Sequence, residues 1–279
     1  MPPRRDKRTF ALALGGGGAR GFAQVPIIEA LDDIGVRPVA IAGSSIGAAI
    51  GAAYAAGMSG KAIRRHIIDV AHRRSETLAR LVAARAVALG DIIAAPLGNP
   101  MLLDAEKLCA AFLPAAIPDD FAALTIPLIV PTTDLFGRCE LAFAAGPLRT
   151  AIAASMAVPG LVRPVAYDGR VLVDGAAVNP LPFDHLRGRA DVIIAVDSLA
   201  GLATPRALPD PWECLFVTLQ VMGHTIVAEK LKHGAPDLLI RPNVAAFRLL
   251  DFLQASAILR AAEPAKAEVT ERLGALLGL

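Results

Sequence analysis

The 279-residue sequence predicts an α/β fold, a three-layer α/β/α sandwich around a central, mostly parallel sheet. Short apolar runs of strand length alternate with segments of helical period along most of the chain. The first two strands each run through a Gly-rich turn directly into a helix. The length and the 54% hydrophobic content suffice to bury a core, and much of that apolarity is Ala and Gly, which suits close packing.

The elements follow in order. Arg8 to Leu14 reads as a strand, and four glycines then open onto a helix with Ile27, Ile28, Leu31 and Ile34 on one face, ended by Gly35. Pro26 inside that helix would cost about 3 kcal/mol, so the helix is expected to start near Gln24 or bend there. Val39 to Ala42 is a short apolar strand and Ile46 to Ala56 a small-residue helix. Lys61 to Pro118 is helical and punctuated by Pro96, Pro100, Pro114 and Pro118, with Asp104 as an N-cap. Strands return at Ile126 to Thr132 and Glu140 to Phe143. A helix is expected at Leu148 to Met156, and strands at Val165 to Tyr167, Arg170 to Val173 and Val192 to Val196. A helix from about Trp212 to Leu231, a strand at Asp237 to Ile240 and closing helices from Asp251 complete the chain.

Composition narrows the function classes. A net charge of +2 is too small for a nucleic-acid partner. Cys109, Cys139 and Cys214 are widely spaced, so neither a disulfide framework nor a zinc site is expected, and a reducing, cytoplasmic compartment fits best. The basic start and apolar run of Met1 to Ala19 are broken by glycines and Arg20, unlike a signal peptide. Pro38 to Gly60 has no charge over 23 residues, long enough to span a membrane, but its eight Ala and five Gly fit a buried strand-turn-helix better.

Three elements carry chemistry. Gly15-Gly16-Gly17-Gly18-Ala19-Arg20-Gly21 follows a strand and opens a helix, which leaves N–H groups ready for a phosphate or an oxyanion. It also matches the dinucleotide fingerprint, yet the next strand ends at Ala42 and Gly43 without the acid that fingerprint needs. Gly43-x-Ser45-x-Gly47 between strand and helix suits an exposed serine nucleophile; its plainer reading is a turn with Ser44 or Ser45 as N-cap. Asp174-Gly175-Ala176 ends a strand, and alone reads as a turn cap.

Together these three, in this order, resemble the patatin-like phospholipase family of bacterial type. The resemblance extends over Ile126 to Gly137, Ala154 to Pro182, Ala190 to Asp197 and Leu239 to Phe252. It implies the patatin-like variant of the α/β-hydrolase architecture, as a single domain over 1–279 with a helical cap-like insertion at about 59–125. It implies a serine acyl hydrolase acting on lipid esters, with Ser45 as nucleophile and Asp174 as its base. Backbone N–H groups of Gly17 and Gly18, with Gly16 and Ile46 beside them, would form the oxyanion hole, and Arg20 would orient the loop. Neither metal nor cofactor is implied. Gln24 stands where the family often has His, and Pro26 where it often has Gly. Without the resemblance, Arg20 reads as a helix-start Arg facing solvent.

Two alternatives stay open. Chain order allows a Ser45, Asp197 and His224 or His233 triad of the usual α/β-hydrolase type, and the Gly-rich loop allows a nucleotide-binding protein. Lys61 to Arg85 holds seven Lys or Arg against Asp69 and Glu76. It is either a solvated helix face or a patch for anionic lipid, with Leu78, Leu81, Val82, Val87, Leu89, Ile92 and Ile93 adding apolar contact.

Overall fold

The computed structural model describes residues 8–84, 103–199, 201, 208 and 210–278, the side chains of Arg74, Leu78 and Trp212 excepted. Pro96 and Pro100, and the residues Arg85, Val87, Leu89, Ile92 and Ile93 of the basic segment, lie outside the described residues.

In chain order the elements are β1 (Phe10–Leu14), α1 (Gln24–Ile34), β2 (Ala40–Gly43), α2 (Ile46–Ala55), α3 (Gly60–His72), α4 (Arg74–Ala83) and α5 (Ala105–Phe112). There follow β3 (Leu128–Asp134), β4 (Cys139–Phe143), α6 (Leu148–Ser155), β5 (Val165–Tyr167), β6 (Arg170–Val173), β7 (Val192–Val196), α7 (Pro211–Lys232), β8 (Leu238–Ile240) and α8 (Ala255–Leu277). One mixed sheet has the order β5-β6-β3-β2-β1-β7-β8, with β4 also pairing with β3. The five strands from β3 to β8 along that order are parallel, and β4, β5 and β6 form an antiparallel flank.

The expected alternation of strand and helix therefore holds for the parallel half and gives way to hairpins at the flank. β3 continues past Thr132 because Thr133 and Asp134 pair with β4 on one side and with β6 on the other. At the C-terminus, a 3-10 turn at Phe252–Gln254 leads into one 23-residue helix with Pro264 inside it, in place of several closing helices.

The period of two along β1 sorts the core. Phe10, Leu12 and Leu14 point into the larger cluster, packed by α1, α2 and α8, while Ala11 and Ala13 point to the other face. That second face is lined by small residues, Ala40, Ala42 and Ala195 among them. Alanine lets Leu181, Phe183 and Leu186 of an irregular segment pack closely on the sheet, with Val227 of α7 beyond. The Pro38 to Gly60 stretch is a buried strand-turn-helix, and every residue of α2 is buried. α7 differs. Glu213–Lys232 is long and apolar enough, by length and composition, to cross a membrane, yet only 17% of its most apolar window is buried.

Candidate active site

β1 and β2 are parallel neighbours, so the Gly-rich loop after β1 and the turn after β2 emerge side by side at the C-terminal edge of the sheet. Ser45 stands between β2 and α2 with φ 54° and ψ −124°, a backbone conformation that non-glycine residues rarely adopt. Its side chain caps nothing, which removes the N-cap reading. A side chain at Gly47 would run into the Leu14 carbonyl, so the glycine is what lets the turn lie against β1.

Ser45 Oγ donates to Asp174 Oδ2 at 2.7 Å. Asp174 directly follows β6; its Oδ1 accepts from Ala176 N (2.8 Å), its carbonyl accepts from Thr133 Oγ1 (2.8 Å), and its N–H donates to Ala157 O (3.0 Å). The carboxylate is thus fixed from several directions while only 5% exposed. Burial pushes its pKa up to about 6, against the lowering effect of the hydrogen bonds from Ser45 and Ala176.

The loop divides by its hydrogen bonds. Gly16 N–H donates to Pro180 O at 2.9 Å, which takes it out of the donors expected of it for an oxyanion. Among the described residues, the N–H groups of Gly17, Gly18 and Ile46 have no such backbone acceptor. Gly18 adopts φ +54°, and any side chain there would strike the Leu249 carbonyl. Gln24, at the start of α1, donates to Gly15 O (2.6 Å) and Ser198 Oγ (3.2 Å), so a fully buried amide braces the loop.

Arg20 does not face solvent. It is 2% exposed, donating from Nη1 to Gln220 Oε1 (3.0 Å) and from Nη2 to Gly201 O (2.9 Å). Burial lowers its pKa and the charge of Asp197 opposes that. The guanidinium thereby ties the loop to α7 and to the segment after β7.

Sequence reasoning missed Ser155. This fully buried residue of α6 accepts from Ser45 N (2.9 Å) and donates to Pro131 O (2.7 Å), so it anchors the strained serine backbone to β3. Its only sequence signal is a hydroxyl inside an otherwise small, apolar helix end.

The histidines are not part of the Ser45–Asp174 hydrogen bond. Asp197 is engaged by Arg241 (3.4 Å), His224 is exposed on α7, and His233 is paired with Glu229 (3.4 Å). His66 Nε2 is within 2.8 Å of Phe112 O, His72 lies near Ser256, and His185 pairs with Glu140. Glu140, Asp184 and His185 bring potential metal-ligand atoms within 4.8 Å of one another, but Lys230 Nζ already sits on Asp184 and supplies the positive charge.

Above Ser45 opens an apolar cavity of about 450 Å³, walled by α2, α3, α4, α5 and residues 249–253. The basic segment forms part of its rim. There Lys61 pairs with Asp33, Arg64 with Glu29 and Glu263, and Arg73 and Arg80 share Glu76. The charge surplus read along the sequence is therefore partly cancelled in space by α1 and α8.

Residues 12–187 match the patatin-like phospholipase family. An uncharacterised NTE family protein of Mycobacterium tuberculosis is 37% identical over 206 residues, 72% of this chain and 52% of its own length. A lysophospholipase of Aspergillus niger is 31% identical over 194 residues, 68% of this chain and 12% of its own. The chain thus spans about half the length of the mycobacterial relative and a small part of the fungal one. Among solved structures, VipD from Legionella pneumophila has the same fold, with a TM-score of 0.50 and 14% identity over 95% of this chain and 67% of that one.

Proposed function

The chain belongs to the patatin-like phospholipase family, and from that premise we propose that it is a serine acyl hydrolase cleaving carboxylic esters of lipids through a Ser45–Asp174 dyad. The observation that carries the reading is the 2.7 Å hydrogen bond from Ser45 Oγ to Asp174 Oδ2, at the foot of an apolar cavity.

In this mechanism Ser45 Oγ attacks the ester carbonyl carbon as its proton passes to Asp174 Oδ2. The oxyanion is held by the N–H groups of Gly17 and Gly18, with Ile46 beside them, and a single donor of this kind is typically worth about 10² to 10³ in rate. Collapse of the tetrahedral intermediate expels the alcohol, which takes the proton from Asp174. Water then attacks the acyl-enzyme, giving a proton to Asp174; collapse of this second tetrahedral intermediate breaks the bond to Ser45 Oγ, which takes that proton back from Asp174 as the fatty acid leaves. An Asp at its ordinary pKa would be a poor base for a serine hydroxyl, and burial that lifts Asp174 to about 6 improves the match. Arg20 acts through the loop, as a positioning residue.

The substrate range within this class is a phospholipid, lysophospholipid or neutral lipid, and the fungal relative named a lysophospholipase favours testing lysolipids first. α3, α4 and α5 belong to the cap-like insertion of about 59–125 and roof the acyl site. Peripheral contact with anionic lipid is part of the proposal, carried by the Lys61 to Arg85 segment where Arg73 and Arg80 outnumber Glu76 beside the exposed Val82. Reversing Arg73 and Arg80 to Glu is expected to weaken sedimentation with anionic vesicles, and undiminished binding overturns that part.

Turnover of p-nitrophenyl esters and of a lipid panel tests the core claim. Ser45→Ala and Asp174→Asn should both lose activity while remaining folded; wild-type rates in either would sink it.

A further inference from the structure

The cavity above Ser45 follows one face of α2. Ile46, Ala49, Ile50 and Ala53 line it, at the spacing of a single helical stripe, whereas Ala48 and Ala52 of the same helix do not. The isoleucines are bulky, and the two alanines leave clearance towards α3 and α5. At a rise of 1.5 Å per residue, Ala49 lies about 6 Å and Ala53 about 12 Å along the axis from Ser45.

Among the described residues, the lining offers nothing to a polar headgroup along this path. Its polar side chains are turned to backbone carbonyls: His66 Nε2 lies 2.8 Å from Phe112 O, and Thr77 Oγ1 donates to Val70 O. Ligand recognition there is by apolar contact and shape alone. A volume of about 450 Å³ holds roughly fifteen methylene-sized groups, at about 30 Å³ each, the volume share of a water molecule.

We infer that this cavity is the acyl-chain site and that α2 is its ruler, with Ala49 and Ala53 setting how long a chain passes beyond Ser45. The inference rests on the Ser45 acyl-enzyme proposed above and names the acyl group it takes, a long unbranched chain. An extended chain advances about 1.2 Å per bond, since three bonds of extended backbone span about 3.6 Å. The Ala49 side chain is therefore passed after about five carbons and the Ala53 side chain after about ten. A large side chain at either place fills the path at that depth and leaves Ser45, Asp174 and the loop untouched.

The test is a chain-length profile of kcat/KM on p-nitrophenyl butyrate, octanoate and palmitate for wild type, Ala49→Phe and Ala53→Phe. Ala53→Phe should keep butyrate and octanoate within about twofold and lose palmitate by at least about tenfold. Ala49→Phe should keep butyrate alone and lose both longer esters. Should a Phe variant fail to fold, as judged by its thermal melt, Ala49→Leu and Ala53→Leu read the same stepwise order with smaller losses. Equal loss across the three esters in a folded variant, or palmitate turnover unchanged in both, overturns the ruler. Failure of the parent reading shows separately, as butyrate turnover that survives Ser45→Ala.

Discussion

Asp174 and Asp184 lie ten residues apart on the same stretch of chain, both tied into hydrogen-bond networks, and they titrate in opposite directions. Asp174 is buried with only a hydroxyl and an amide for partners, and burial lifts it to about 6. Asp184 also feels burial, but the Lys230 ammonium on it more than offsets that and holds the carboxyl below its ordinary value. Lys230, itself lowered by burial, also donates to Asn179 and Leu181 O, so the second carboxylate belongs to a knot joining α7 to the segment under the sheet. Under the proposed mechanism, the contrast explains why one carboxylate suits the role of base and the other does not. A nearby cation stabilises the charge and makes a structural strut; its absence leaves a base whose charge is costly and therefore available for proton transfer.

The largest expected effect breaks the reactive member. Asp174→Asn, which preserves shape and can still accept from Ser45, should lower kcat by about 10² to 10⁴. In wild type the carboxyl must be ionised to act, so kcat/KM should climb with pH through about 6 and level off above. A profile flat from pH 5 to 8 would remove Asp174 from the role of base.

The same group should act on stability with the opposite sense. Its folded pKa is raised, so its contribution is fully present below the unfolded value of 3.8 and is lost as pH rises through about 6. A shift of that size corresponds to about 3 kcal/mol. Asp174→Asn should therefore be more stable than wild type at pH 7, by up to that amount, with the gap closing as pH falls to 4. Urea melts at the two pH values measure it, and a gap independent of pH would count against the burial argument.

The strut should break differently. Lys230→Met removes the cation and leaves Asp184 and Asn179 without it, at a cost of about 1–3 kcal/mol. For a chain of this size that lowers Tm by several degrees, about 2–4 °C per kcal/mol. Butyrate ester turnover should stay within about twofold of wild type, since the knot touches neither Ser45 nor the loop donors.

The two carboxylates also mark how far the sequence could be read. The turns at Ser45 and Asp174 and the glycine loop were legible because small residues at a strand end leave few other readings. The parallel strands were legible as apolar runs. The antiparallel flank was not, because hairpin and crossover strands share the same apolar signal and differ only in what they pair with. Ser155 was missed, and the burial and partners of Arg20 were not legible, for a related reason: Gly201, Gln220, Ser45 and Pro131 lie far away in sequence from the residues they bond. The Asp184 knot draws on Glu140, Asn179 and Lys230 from separate elements, so no local pattern announces it. The Ala and Gly content of Pro38 to Gly60 was enough to read it as buried, whereas the exposure of the apolar α7 is set by tertiary packing that composition does not carry.

The smallest effect tests whether the knot is electrostatic throughout. His185 Nε2 sits on Glu140 Oε1, and that hydrogen bond, with the charges of Glu140 and Asp184, raises the imidazole above its ordinary 6.5 despite burial and the nearby Lys230. A raised folded pKa means stability fully present below 6.5 and lost as pH rises through the folded value. Because the pair is partly exposed, the effect should be at most about 1 kcal/mol. His185→Gln keeps a hydrogen-bond donor but cannot titrate, so it should be less stable than wild type at pH 6 and equal to it well above neutrality. Like Asp174→Asn, it gains on wild type as pH rises, but from a deficit at low pH to parity, where Asp174→Asn goes from parity at pH 4 to an advantage. If His185→Gln loses the same stability at both ends of the range, the histidine contributes packing alone, and the charge balance of the knot rests on Lys230.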